Sequence, residues 1–506
     1  MAQPTVSPGQ TAKAAVSSSP TNGSQKVHNY VNGKFVESMS TDFLPVMNPS
    51  IGKQIASVPL STAADVDEAV RSAAGAFTAW SATPIKERVQ VFYRYKTLLE
   101  KHANSLRDLV HEENGKTIGE AMAEIEKSIE VTEFACSMPQ IAAGEILEVS
   151  RGVECRVDRY PVGVVASITP FNFPNMVPNW TIPNALVLGN TMVLKPSEQV
   201  PLSSIRIADL LKEAGLPDGV FNVVHGGQAV VEAICDHPGI AAITFVGSTR
   251  VAKLVYVRAT SHLKRALCLG GAKNHLIVLP DAHEEMTASN VAASMSGCAG
   301  QRCMAASAMV AVGPIDHIIK RLCDETRKIV PGNNLGAVIS KQAKERIERY
   351  ITEAERDGAK VLVDGRNVVV KGKEEGYYVG PTVIDHVRPD MKIAQEEVFG
   401  PVLAIIRAQT VDEALKIENS SPYGNAASVF TQSGGAARYV IERASAGMIG
   451  VNIGVPVPRE PFSFGGWNES KFGSGDITGK AAIDFFTKLK KTTTKWNPES
   501  RANWMS

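Results

Sequence analysis

"VGVVASITPFNFP", Val162–Pro174, is the stretch on which the fold is decided. Its first seven residues are small or apolar and rich in β-branched side chains. Such a run fits a strand buried on both faces, as a parallel sheet requires. The six that follow form a loop with two prolines, two aromatics and a single amide, Asn172.

Similar runs recur downstream: "NTMVLK" (Asn190–Lys195), "VFNVVH" (Val220–His225) and "AAITFVG" (Ala241–Gly247). Helical segments separate them. "LSSIRIADLLKEAGLPDG" sets Ile205, Ala208 and Leu211 on one side and stops at Gly215 and Pro217. Strands alternating with helices make a doubly wound α/β domain. Upstream, "HNYVNGKFVES" reads as a hairpin around Asn32 and Gly33, and a helical region follows over roughly 63–143. From about 272 the alternation resumes in "NHLIVLPDA", "AASAMVAVG", "TVIDHV" and "FGPVLAIIRA", which implies a second α/β domain. The closing "AIDFFTKLKKTTTKW" reads as a short helix and then an extended Thr/Lys segment. A terminal strand of that kind needs a sheet edge, which another subunit can supply.

The 506 residues are too many for one core and call for at least two domains. Lys and Arg number 53 against 52 Asp and Glu, interspersed, so nothing asks for nucleic acid or an anionic membrane as partner. No apolar run is long enough to span a bilayer. Seven scattered cysteines, with no CxxC pair and no zinc-like Cys/His spacing, exclude a disulfide scaffold and give no metal site. They fit a reducing compartment, and the cytoplasm is the expected location. The first 27 residues are rich in Ser, Pro and Gly and read as a disordered tail, with neither a secretory apolar stretch nor the arginines of a transit peptide.

Several short motifs allow a chemical reading beside a plain one. In "TFVGSTRVA" a strand leads through Gly247 and Ser248 into a helix, whose N-terminal N–H groups can hold a phosphate; Ser248 as a simple N-cap is the plain reading. "LKPSE" puts Lys195 and Glu198 at a strand end, where open α/β sheets gather ligands; a solvated lysine is the alternative. Asn172 is either a turn residue or an N–H₂ donor to a developing oxyanion. "GCAGQRCMAA" (Gly297–Ala306) surrounds Cys303 with residues that leave an open approach. Cys303 is the candidate nucleophile, with Arg302 beside it to lower its pKa or to hold an anionic substrate. Cys298 reads as a small buried hydrophobe.

Taken in order, "TPFNFP", "LKPSE", "FVGST", "LGGAKNH", "GQRC" and "EEVFGP" resemble the NAD(P)-dependent aldehyde dehydrogenase superfamily, over about Tyr30–Trp496. The resemblance implies an α/β fold: a Rossmann-like NAD-binding domain (28–145 and 164–270), an α/β catalytic domain (271–452) and a small β oligomerisation arm (146–163 and 480–496), between tails 1–27 and 497–506. It also implies a homotetramer, a dimer of dimers, with the C-terminal strand crossing. By resemblance Cys303 forms a thiohemiacetal, and Asn172 with the Cys303 N–H makes the oxyanion hole. By the same resemblance Lys195, Glu198 and Ser248 hold the adenosine end of NAD. Thr169, Phe171, Gly247, Glu397 and Phe399 belong to the same cofactor set.

One departure is informative. Hydrolytic members carry a glutamate where this chain has Cys268, in "RALCLGGAKNH". Without that base the thioester waits for a better nucleophile, and coenzyme A is the obvious one. "GQRCMA", "FNFPNMVPNW" and "DFFTKLK" resemble the CoA-acylating branch that acts on methylmalonate or malonate semialdehyde, with loss of CO₂. Arg302 would then grip the substrate carboxylate. That branch usually has a second arginine where this chain has Lys127, a charge without the bidentate fork. Arg459 in "PVPREPF" is a possible compensating cation; a surface Lys127 and a solvated Arg459 are the plain alternatives. Two rivals stay open: a dehydrogenase of another anionic aldehyde, bearing sulfonate or phosphonate, and a catalytically silent family member.

Overall fold

In the computed structural model, which describes residues 25–496, Val164–Ile168 is a strand with every residue buried. It lies inside an eight-stranded sheet. Parallel neighbours flank it: Thr191–Lys195 on one side and Ile240–Val246 on the other. Phe221–Val223 and Arg265–Leu269 extend the parallel part outward. From Val164–Ile168 the chain builds to one side first and then returns to add Ile240–Val246 on the other. The loops leaving these two strands therefore diverge and open a crevice, the usual ligand site of such sheets.

Antiparallel strands finish both edges. One edge is the hairpin Asn29–Val31 and Lys34–Val36; the other is Lys471–Phe472. The hairpin turn needs its glycine. Gly33 has φ +73°, and a Cβ there would stand 1.8 Å from the Asp218 carboxylate. A second sheet of seven strands carries His275–Val278 between Ala308–Val312 and Ala426–Phe430, all parallel. The turn bearing Cys303 runs directly into Ala308–Val312.

Two expectations change. The terminal strand Thr487–Lys495 finds its sheet edge in its own chain, antiparallel to Val153–Pro161. The tail expected over 1–27 and that over 497–506 lie outside the described residues, except at 25–27. There Gln25–Lys26 pairs with Lys53–Pro59, and Val27 seats on Val46, Ala56 and Val58. One valine after a polar run is too weak a pattern to reveal a strand. No helix among the described residues is long and apolar enough to cross a membrane.

Helix Ile118–Cys136 positions the loops that matter. Thr117 caps it, with Glu120 closing a capping box. Glu120, Glu124 and Lys127 recur at helical spacing on one face. Glu124 caps a second helix, Met176–Val187, by accepting from the N–H groups of Asn175 (2.8 Å) and Met176 (3.0 Å). Its other oxygen takes the ammonium of Lys116, and both side chains are buried. Lys116 also lies 3.7 Å over the ring centroid of Phe173. Asn114 donates to the Phe171 carbonyl at 2.8 Å. The loop Thr169–Pro174 is thus tied down along its length.

Removing one partner of a buried ion pair strands the other charge and costs about 3–5 kcal/mol. Glu124→Ala is expected to lower the urea midpoint accordingly, and Glu124→Leu combined with Lys116→Met to recover part of the loss. An unchanged midpoint in Glu124→Ala removes this pair from the account of the loop.

Candidate active site

A cavity of about 1200 Å³ runs between the loops of the two sheets. Cys303, Asn172, Thr169, Phe171, Glu397, Phe399, Lys195, Glu198, Gly247 and Ser248 all line it. All ten expected catalytic and cofactor residues therefore meet around one space.

The Cys303 turn is strongly constrained. Cys298 (φ +53°), Ala299 (φ +52°) and Gly300 (φ +70°) are all left-handed. The two that are not glycine each cost about 1–2 kcal/mol. Gly300 has no substitute, because a Cβ there would lie 2.0 Å from the Gly400 carbonyl oxygen. The turn is held by long-range bonds. Glu120 accepts from the Cys298 N–H at 2.5 Å, and Ile339 N–H donates to the Gln301 side chain at 3.0 Å. The Cys303 carbonyl accepts from the amides of Asn274 (2.7 Å) and Asn425 (2.9 Å). Asn172 is buried and donates one N–H to the Gln301 carbonyl at 2.9 Å. Its amide keeps a second N–H for an incoming oxygen. Phe171 and Phe399 meet edge to face, centroids 5.8 Å apart.

Lys195 is buried and donates to Glu198 at 3.0 Å. Burial pushes the Glu198 carboxyl up, but the Lys195 charge and hydrogen bonds prevail and hold it below the usual range. Ser248 precedes helix Thr249–Ser261 without making a side-chain cap bond, which leaves its hydroxyl free for a ligand.

Electrostatics corrects one expectation. Burial pushes the Cys303 thiol up to about 12, and the Glu397 carboxylate adds to the shift; Arg302 opposes both and is outweighed. The Arg302 guanidinium also meets Cys298, with Nη2 3.4 Å from Sγ. Glu397 is itself raised to about 7 by burial, against the N–H of Ala272 (3.0 Å) and the charge of Lys273.

Arg302, Lys127 and Arg459 stand apart from the cavity lining. Lys127 pairs with Glu460 (2.6 Å) and Glu130 (3.2 Å). Arg459 is exposed and has no ion pair among the described residues. Cys268 is fully buried in strand Arg265–Leu269, and burial raises its thiol far above the ordinary value. Sequence reasoning missed Asn425 and Glu124, which carry no local signal, and Glu120, whose one local signal is the Thr117–Glu120 capping box. Asn274 stood inside a quoted motif without a role.

The crevice at the reversal of strand order, lined by a thiol, an amide and the start of a helix, is that of a dinucleotide-linked thiol enzyme. The chain belongs to the aldehyde dehydrogenase family, which matches residues 35–492. It is 45% identical over 485 residues to malonate-semialdehyde dehydrogenase 1 of Geobacillus thermodenitrificans, covering 94% of this chain and 100% of that one. A methylmalonate-semialdehyde dehydrogenase from Oceanimonas doudoroffii has a similar structure, with TM-score 0.92, 42% identity and coverage of 94% and 99%. A protein assigned to the same activity from Sinorhizobium meliloti 1021, complexed with NAD, gives TM-score 0.93 and 39% identity over 95% of this chain and 100% of that one.

A thiol with its pKa near 12 gains thiolate about tenfold per pH unit below that value. In the protein without cofactor, iodoacetamide labelling of the Cys303 peptide is expected to rise with that slope from pH 8 to 10, and to be faster in Glu397→Gln. Rapid labelling at pH 7 with no pH slope contradicts the raised thiol.

Proposed function

We propose that the enzyme oxidises malonate or methylmalonate semialdehyde with NAD, releases CO₂ and transfers the remaining acyl group to coenzyme A. The products are acetyl-CoA or propionyl-CoA. The observation that carries this reading is Cys268: a thiol sealed in the sheet replaces the carboxylate that would activate water. The relatives named above act on the same substrates by their names.

The site fits the dinucleotide. Gly271 leaves room beside Glu397, where a Cβ would come 2.4 Å from Oε2. Lys195, Glu198 and Ser248 would hold the adenosine end, and Glu397, Phe399, Thr169 and Phe171 the nicotinamide end. NAD bound there supplies the hydride acceptor. An ionised Glu198 repels a 2′-phosphate and so favours NAD over NADP.

Cys303 sulfur attacks the aldehyde carbon, while the oxygen gains charge against the free N–H of Asn172 and the N–H of Cys303. The oxidised thiohemiacetal becomes a thioester on Cys303. Loss of the carboxylate as CO₂ leaves its electron pair on the α-carbon, which takes up a proton, and the coenzyme A thiol then displaces the shorter acyl group from the sulfur. Arg302 supplies the cation for the substrate carboxylate. Lys127 is already engaged by Glu460, so its part is to fix the 455–464 segment, and Arg459 is left as a solvent-side cation.

The same reading gives a homotetramer built from dimers. Ile146, Leu147 and Val149 on the arm are exposed apolar side chains that suit such contacts. All seven cysteines are free, in keeping with the cytoplasm.

A second reading has one observation behind it. Glu397, titrating at about 7 and acting electrostatically on Cys303, is a candidate base for water. NADH formation from malonate semialdehyde decides between them. Strict dependence on CoA with acetyl-CoA as product is expected; a CoA-independent rate with accumulating carboxylic acid overturns acyl transfer. Arg302→Leu is expected to raise KM for malonate semialdehyde roughly thirtyfold more than for propanal, the loss of a charged hydrogen bond. Equal losses on both substrates remove Arg302 from carboxylate recognition.

A further inference from the structure

The Arg302 side chain folds back over the turn that precedes it. Its Nη2 meets Cys298 Sγ at 3.4 Å. It also lies across Gly297, where a Cβ would come 2.8 Å from Nη2. Cys298 is buried, and its place is set by φ +53° and by the bond from its N–H to Glu120. The left-handed turn thus brings the sulfur of residue 298 to the guanidinium of residue 302.

We propose that Cys298 is a positioning residue, which fixes the Arg302 guanidinium in one place beside the Cys303 turn and thereby sets the preference for acidic aldehydes. This rests on Arg302 being the carboxylate grip. Sulfur suits the task because it is a weak acceptor. It takes one N–H of the guanidinium and leaves the others for the substrate, while the Glu120 carboxylate already acts on the charge. A carboxylate at 298 would neutralise Arg302. A side chain without an acceptor would let the guanidinium swing, and a Cβ at 297 would push it off its seat.

The test compares kcat/KM for malonate semialdehyde with kcat/KM for propanal. Cys298→Ala is expected to lower that ratio about fivefold through KM for the acidic substrate, as the loss of a modest hydrogen bond does. Alanine already occupies the same left-handed backbone at Ala299, so the variant has a conformation it can adopt. Cys298→Ser keeps an acceptor and is expected to restore the ratio to within about twofold of the parent. Gly297→Ala, an independent disturbance of the same guanidinium, is expected to lower it as Cys298→Ala does. An unchanged ratio in Cys298→Ala, or a serine variant as impaired as the alanine one, overturns the proposal. Arg302→Leu run beside them separates the two readings. If it collapses the ratio while Cys298→Ala does not, only the role of Cys298 fails. If it leaves the ratio unchanged, the carboxylate grip fails and this inference with it.

Discussion

The site depends on a buried carboxylate satisfied on both oxygens. One oxygen of Glu124 takes the leading N–H groups of helix Met176–Val187; the other takes Lys116. Neither demand can be met by water at this depth, so the carboxylate, the ammonium and the helix N-terminus need one another. The helix dipole adds a favourable field at the same oxygen. The loop carrying Asn172 hangs from this knot, and Asn172 reaches the catalytic turn through Gln301. Helix Ile118–Cys136 also grips that turn through Glu120, so a single rigid element sets the distance between the Cys303 turn and the Asn172 amide.

The resting site is poised against premature reaction. A half-buried thiol with a carboxylate acting on it stays protonated, and a protonated thiol is a poor nucleophile and a poor target for oxidants. Any ligand that draws Glu397 away, or brings positive charge to that end of the cavity, lowers the cost of the thiolate. Glu397 and Cys303 line one cavity, so a ligand that fills it lies against both.

The strands were legible because burial on both faces writes itself as unbroken β-branched runs, and "VGVVASI" and "NTMVLK" became Val164–Ile168 and Thr191–Lys195. The residues lining the cavity were legible through short motifs at strand ends. What stayed hidden was partnership at a distance: Asn425 lies 122 positions from the Cys303 carbonyl it holds, and Glu460 lies 333 from Lys127. Arg302 was half legible. Adjacency in sequence put it beside Cys303, whose pKa its charge does lower, but nothing local announced that its guanidinium also meets Cys298. Side-chain direction in such a turn follows backbone dihedrals that no residue pattern announces.

Position 268 bears on whether the missing base is a loss or a design. Had a carboxylate merely been deleted, a polar space facing the cavity would be expected around the smaller residue. Cys268 instead stands opposite Phe245 and Phe472 in the sheet and packs with Ala166, Ile243 and Val255 in a continuous apolar cluster. A glutamate there would enter that cluster without a partner, at a cost of several kcal/mol. The surrounding core has accommodated a side chain that cannot activate water, while the thiol, the amide and the cofactor residues are all in place. A silent relic has no reason to keep that machinery assembled around one cavity, whereas an enzyme that hands its acyl group to another thiol has reason to exclude the base.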